Sequence, residues 1–184
     1  MNTADKMFSF GKPTNPWLYA GLRTSFPNIE PDTATSKTET KLTKPARDPW
    51  DEPHAKGEPP PACKVYENDG KSCLTELPLD DVQLRRHSTQ IMVFRYRDKI
   101  HAIDLSCPHS TYPLSRGSIY DIEDFGIVLS AGITCPKHGW AFDLTTGQSD
   151  RGAYKLGVWD VEVRKGNSEE DEVWVRKKER KRMG

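Results

Sequence analysis

The sequence predicts an all-β fold, and two textures carry that prediction. From about Cys63 onward short apolar runs alternate with turn signals, and no segment of helical period is long enough to compete. CKVYE, IMVFRY and IHAIDL read as strands, the latter two joined through the polar RDK as a hairpin. Near the end, VWDVEV sets Trp159, Val161 and Val163 against Asp160 and Glu162, and the loop KGNSEEDE leads into VWV. The stretch DIEDFGIVLSAG at 121–132 fits either a further strand or a short helical turn.

Residues 1–60 are of another kind. They hold most of the prolines, the polar run TATSKTETKLTK and the clusters DPWDEP and EPPPA, so they read as an extended or disordered arm. Phe8, Phe10, Trp17, Leu18, Tyr19, Leu22 and Phe26 are more apolar than a linker needs, and the simplest account is that they wrap the chain's own domain. The expected organisation is an arm over 1–60, a β domain over 61–176 and a basic tail over 177–184.

Charge and length narrow the function. The 184 residues balance 27 Lys and Arg against 27 Asp and Glu, so net charge gives no pull toward nucleic acid or anionic lipid. No run of about 18 apolar residues could cross a membrane. Neither a secretory signal nor an Arg-rich transit peptide is recognisable at the start, which makes the cytoplasm the expected compartment. The tail RKKERKR leaves the nucleus open, although short basic tails are usually only solvated. In a reducing compartment the four cysteines favour metal binding over a disulfide framework. Cys63 and Cys73 read as buried thiols, and His54, His87 and His101 as surface or strand residues.

The chemistry lies in two Pro- and Gly-containing loops, CPHSTYPLSRG from Cys107 and CPKHGWAFDLTTG from Cys135. Cys107 and His109 have one residue between them, Cys135 and His138 two. Two thiolates and two imidazoles suit a tetrahedral zinc or an iron-sulfur cluster. The Cys-x-His spacing makes wrapping one ion awkward and lets two nearby metals share the ligands. The 25 residues between the pairs also exceed the usual spacing of zinc fingers, roughly 12 to 15 residues.

These loops resemble those of the Rieske [2Fe-2S] family. The first matches in its Cys-x-His, the following Pro-Leu and the closing Gly; the second in Cys-Pro-x-His-Gly, the aromatic residue, Phe-Asp-Leu and Thr-Gly. The resemblance covers roughly residues 63–176. It implies a Rieske-type domain of short antiparallel strands with two cluster-binding loops. It further implies that Cys107 and Cys135 hold one iron of a [2Fe-2S] cluster and that His109 and His138 hold the other.

Two ferric ions and two sulfides with two thiolates are neutral overall, whereas four thiolates leave a net negative centre that resists an electron. Histidine ligation therefore raises the potential into a window of roughly −150 to +300 mV. Family members at the high end carry an inter-loop disulfide and a Ser that bonds a cluster sulfide. Tyr112, Lys137 and Trp140 occupy those places here, so the low end is expected. Lys137 is expected to face solvent, Trp140 and Phe142 to pack beneath the loop, Gly139 to satisfy the turn, and Pro108 and Pro136 to stiffen it.

An oxygenase of this family carries a separate iron site on a further domain. Only 46 residues follow His138, none of them His, and no dinucleotide fingerprint is present. No catalytic residue is assigned. The expected function is one-electron transfer as a soluble ferredoxin-like carrier that borrows its protein donor and acceptor: a reductase, an oxygenase or a nitrite-reductase-like subunit. An iron-sulfur or redox sensor and a structural zinc domain are the alternatives. The inter-loop segment SIYDIEDFGIVLSAG is longer than in ferredoxin-type members, and its excess is expected to reshape the rim beside the cluster.

Overall fold

The computed structural model describes residues 15–31, 40–41, 62–68, 73–79, 90–166 and 170–178. Phe8, Phe10, His54, His87 and most of the Pro-rich run and basic tail lie outside the described residues. Within them the chain forms twelve strands: β1 (Leu18–Leu22), β2 (Asn28–Ile29), β3 (Thr40–Lys41), β4 (Cys63–Asn68), β5 (Leu74–Leu77), β6 (Gln90–Tyr96), β7 (Lys99–Asp104), β8 (Ser118–Asp124), β9 (Ile127–Thr134), β10 (Ala141–Asp143), β11 (Trp159–Lys165) and β12 (Asp171–Lys177). The predicted all-β class holds, and no described helix is long and apolar enough to cross a membrane.

The run IMVFRY becomes β6, which is apolar at successive positions because both of its faces are buried. A strand sends alternate side chains to opposite sides. Ile91 and Val93 accordingly join a cluster with Leu18, Ala20, Phe26, Tyr66, Ile100, Trp159, Val173 and Val175. Met92, Phe94 and Tyr96 join the other, with Ile103, Leu105, Leu114, Ile119, Ile133, Phe142 and the two loop cysteines. On one edge β6 pairs antiparallel with β7, from Ile91↔Asp104 to Tyr96↔Lys99. On the other it pairs with β4 up to Cys63↔Phe94, and β5 lies beyond. Short β2 prolongs that edge in parallel at Asn28↔Arg95 and Ile29↔Tyr96.

One face of this sheet is covered by β1, β12 and β11, with β12 in the middle. Leu18↔Val175 and Val161↔Val175 fix the register. Of the arm's apolar residues, Leu18 and Phe26 therefore pack into their own domain while Tyr19 stays exposed, and Tyr66 donates its hydroxyl hydrogen bond to Ala20 O. The other face receives the sheet β10-β9-β8-β3. Its main piece is the β8–β9 hairpin, so 121–132 is strand and turn rather than helix.

The β6–β7 and β8–β9 turns each use left-handed residues, which match the twist of the flanking strands. Phe125 and Gly126 supply them between β8 and β9. Between β6 and β7 they are Arg97 and Asp98, neither a glycine. That conformation is held from outside by Asn28 Oδ1, which accepts from Asp98 N at 2.8 Å, and by the Arg97–Asp121 ion pair. Gly157 serves close approach. A Cβ there would lie 1.9 Å from Asp104 Oδ2, and Asp104 Oδ1 accepts from Trp159 Nε1 at 2.9 Å.

Cys63 is buried as expected, and burial pushes its thiol up to about 12. Cys73 corrects the expectation: it sits at the start of a short edge strand and is exposed. His101 is a buried strand residue stacked on Phe94, ring centroids 5.6 Å apart.

Two measurements test this packing. Phe26→Ala should cost about 3 to 5 kcal/mol in urea unfolding, because a fully buried ring is removed from a core the arm helps to build. His101, lowered to about 4 by burial first and by Lys99 second, is taken up as a neutral ring. The unfolded chain binds its proton more readily. Stability is therefore full above the ordinary value near 6.5 and declines as pH falls from there to about 4. The loss should be roughly 3 kcal/mol, and His101→Leu should remove that portion of the pH slope.

Candidate metal centre

The two loops hang from the same end of the β8–β9 hairpin. Loop 1 runs into β8 through a 3-10 turn at Leu114–Arg116, and loop 2 leaves β9 directly at Cys135. Ser118 faces Thr134 in register, so the strands hold the loops side by side.

Their backbones repeat one frame. Thr111 N donates to Cys107 O at 2.8 Å and Cys107 N to Tyr112 O at 2.9 Å; Gly139 N donates to Cys135 O at 2.9 Å and Cys135 N to Trp140 O at 2.8 Å. Each frame closes on a left-handed residue, Thr111 at φ 56° and Gly139 at φ 67°. Gly139 thus satisfies the turn, and nothing lies within 4 Å of where its Cβ would be. A β-branched residue in this conformation is strained, a condition that persists where the surroundings over-determine it.

Equal frames with unequal His offsets bring the four predicted residues together in two layers. Cys107 and Cys135 are fully buried at the base. His109 is half-buried and His138 exposed at the tip, with ring centroids 5.1 Å apart and planes at 76°. His109 Nδ1 is buried and has no hydrogen-bond partner, an unusual cost for a ring nitrogen unless something is to be bound there. Among the described residues no three His, Cys, Asp or Glu donors converge as they would around a single ion.

The sulfurs are surrounded by donors. The two thiols interact directly and ionise as a pair. Cys107 is lowered to about 5, chiefly because Cys135 donates to it, with the Ser110 hydroxyl and the Ser110 and His109 amides adding to this against the effect of burial. Cys135 is raised, first by that same bond and then by burial, although the Lys137 amide favours its charged form. Ser110 Oγ lies 3.7 Å from Cys135 Sγ. Sequence reasoning passed over Ser110, which only the folded loop brings between the two sulfurs.

A third loop, also unforeseen, walls off His109. Trp140 stacks on the His109 ring at 4.4 Å and 19°, and Tyr154 meets both edge-on, 5.2 Å from His109 and 5.1 Å from Trp140. Arg151 donates to Gly139 O at 2.9 Å and lies over Trp140 at 5.8 Å. Gly152 leaves room, since a Cβ there would sit 2.9 Å from the indole. Of the two rings expected beneath the loop, only Phe142 is fully buried there. Trp140 instead flanks a candidate ligand.

The Phe-Asp-Leu-Thr-Thr-Gly stretch explains how this third loop is placed. Asp143 Oδ1 accepts from Thr145 N at 2.8 Å, Thr146 N at 2.6 Å and Thr146 Oγ1 at 3.0 Å. Burial alone would raise this carboxyl, but these bonds and the Ser130 hydroxyl hold it below its ordinary value. Gly147, at φ 73°, then turns the chain where a Cβ would strike Leu156 O at 2.2 Å. Lys137 is exposed, as expected. The long inter-loop segment forms the β8–β9 hairpin, with its turn at Phe125–Gly126 and its paired base beside the loops.

Residues 73–155 match the model of the Rieske [2Fe-2S] domain. The chain is 37% identical over 62 residues to a human Rieske domain-containing protein, covering 34% of this chain and 36% of that one. It is 35% identical over 78 residues to the ferredoxin CarAc of Metapseudomonas resinovorans, covering 41% of this chain and 64% of the relative. The match thus spans about a third of one relative and under two thirds of the other.

Among solved structures, a chain from the complex of reduced oxygenase and oxidised ferredoxin in carbazole 1,9a-dioxygenase aligns with TM-score 0.45 and 20% identity over 91% of this chain and 100% of that one. The ferredoxin of carbazole 1,9a-dioxygenase from Nocardioides aromaticivorans IC177 aligns with TM-score 0.35 and 26% identity over 48% of this chain and 76% of that one. Residues 73–155 thus match the Rieske [2Fe-2S] domain, a family that binds a [2Fe-2S] cluster.

Proposed function

We propose that the protein is a one-electron carrier in which Cys107 and Cys135 hold the inner iron of a [2Fe-2S] cluster and His109 and His138 the outer one. The observation that carries this reading is the two-layer donor set, buried thiols below and neighbouring imidazoles above, with His109 Nδ1 buried and unpartnered. The cluster supplies a reversible one-electron couple. The chain's own residues supply the rest: amides of His109, Ser110 and Lys137 and the Ser110 hydroxyl aim at the sulfurs, where they stabilise negative charge. Trp140 and Tyr154 shield one side of His109 from water, and His138 is left at the surface, where a partner can approach.

Tyr112, Lys137 and Trp140 occupy the places of the potential-raising devices, which supports a potential at the low end of the His-ligated window, near −150 mV. The cluster domain extends over 61–176 in this reading, and the carrier exchanges electrons with protein partners of the reductase or oxygenase type. A sensor whose arm reports cluster state finds no support in Leu18, Ala20 and Phe26, which are buried in the core.

Anaerobically purified protein should contain about two irons and two sulfides per chain. Dithionite should produce a rhombic paramagnetic signal with average g below the free-electron value. Cys107→Ser and His138→Ala should each abolish that signal while leaving far-ultraviolet circular dichroism unchanged. One zinc, no sulfide and no reducible signal would overturn the assignment. Trp140→Ala should retain the cluster but shorten its lifetime in air severalfold, measured by bleaching of its visible absorption, because water then reaches His109.

A further inference from the structure

The loops around the two imidazoles are unevenly charged. Residues 107–117, 135–140 and 148–155 carry Arg116, Lys137, Arg151 and Lys155 against one carboxylate, Asp150. All four cations are exposed. Arg151 is neutralised by Asp150, with Nη2 to Oδ2 at 2.8 Å. Among the described residues no carboxylate forms an ion pair with Arg116, Lys137 or Lys155. Lys137 adjoins His138 in the chain, and Lys155 follows Tyr154, whose ring lies 5.2 Å from that of His109.

The whole chain is nevertheless neutral, so this excess must be balanced elsewhere. Part of the balance sits at the other end of the β8–β9 hairpin, where Glu123 and Asp124 are exposed beside the turn and Asp121 is taken up by Arg97. The seven residues of β8, Ser118–Asp124, separate that turn from the first loop, about 23 Å at roughly 3.3 Å per residue. Screening at physiological salt acts over about 8 Å. Among the described residues, a protein approaching the imidazoles therefore meets the basic end and not the acidic turn, and the molecule's zero net charge does not describe that end.

We propose that this basic surface is the docking face for an acidic redox partner, a protein that rings its own redox centre with carboxylates. The inference rests on the electron-carrier reading above and deepens it by giving the partner's charge. Redox encounters bury little surface and are transient, so steering by complementary charge contributes mainly to their rate. Tyr154, 43% exposed among the cations, gives that face an uncharged contact beside His109.

Small inorganic probes test the sign of the field without a known partner. In stopped flow, the reduced cluster gives one electron to ferricyanide, which becomes ferrocyanide. Its rate should fall by about five- to tenfold as ionic strength rises from about 10 to about 500 mM, since attraction to the basic end is screened. Cationic tris(phenanthroline)cobalt(III), reduced to cobalt(II), should instead speed up with salt. The double substitution Arg116→Glu and Lys155→Glu should flatten or reverse both trends at unchanged cluster content.

A second readout is independent of electron transfer. Redox-inert hexacyanochromate(III) should broaden amide resonances of Gly152–Lys155 and Gly117–Ser118 in preference to those of the β8–β9 turn. An intact cluster whose ferricyanide rate is indifferent to salt or rises with it, or broadening centred on the distal turn, would overturn the charge inference alone. A protein with no reducible cluster would sink the carrier reading, and this inference with it.

Discussion

Burial of β6 on both faces is the constraint on which the rest of the fold depends. Met92, Phe94 and Tyr96 belong to the core under the loops, while Ile91 and Val93 belong to the core shared with β1, β11 and β12. Neither outer sheet can be removed without exposing half of this strand. That is why the chain brings Leu18–Leu22 back from the far N-terminal side to pair with the C-terminal strand. The core beneath the loops is what makes the candidate site rigid, because Cys107 and Cys135 are themselves members of it. A thiolate fixed in a core is a ligand whose position need not be ordered at the moment of binding.

From that base the site is built twice and then broken in symmetry. The two five-residue frames have the same hydrogen bonds, yet one places His after a single intervening residue and the other after two. The shift leaves Ser110 and Lys137 in the vacated positions, one by the Cys135 sulfur and one in solvent. The duplicated frame also needs two left-handed residues. Loop 2 uses glycine, whereas loop 1 uses Thr111, whose hydroxyl bonds Ser110 O at 2.7 Å.

Much of this was legible in sequence because it rests on local chemistry. Alternation in VWDVEV, the Cys-x-His and Cys-x-x-His spacings and the turn residues each carry a physical reason within a few positions. What was hidden depends on contacts distant in the chain. Arg97 and Asp98 do not announce a left-handed turn, since the fold supplies Asn28 and Asp121 to hold it. The continuous run of β6 does not reveal which residue serves which core. Tyr154 and Arg151 look like loop residues, and only the Asp143 turn and Gly147 bring them to His109 and Trp140. Cys73 was misjudged because burial of a thiol was inferred from residue type, whereas an edge strand leaves it outside.

The aromatic wall and the charge distribution together give the tip its chemical character. Stacking of Trp140 on His109 removes water from one side of the imidazole, and lower local dielectric strengthens every remaining electrostatic interaction there. Arg151 is half of an ion pair and is also bound to Gly139 O, so its role is to brace the wall more than to add net charge. Arg116, Lys137 and Lys155, which pair with no carboxylate among the described residues, therefore set the sign of the surface, and in the proposed carrier His138, the exposed ring among them, is where an electron would cross it. Had the loops been neutral, the burial of both cysteines would leave the site just as well formed but indistinguishable, to an approaching protein, from the remainder of an electrically balanced surface.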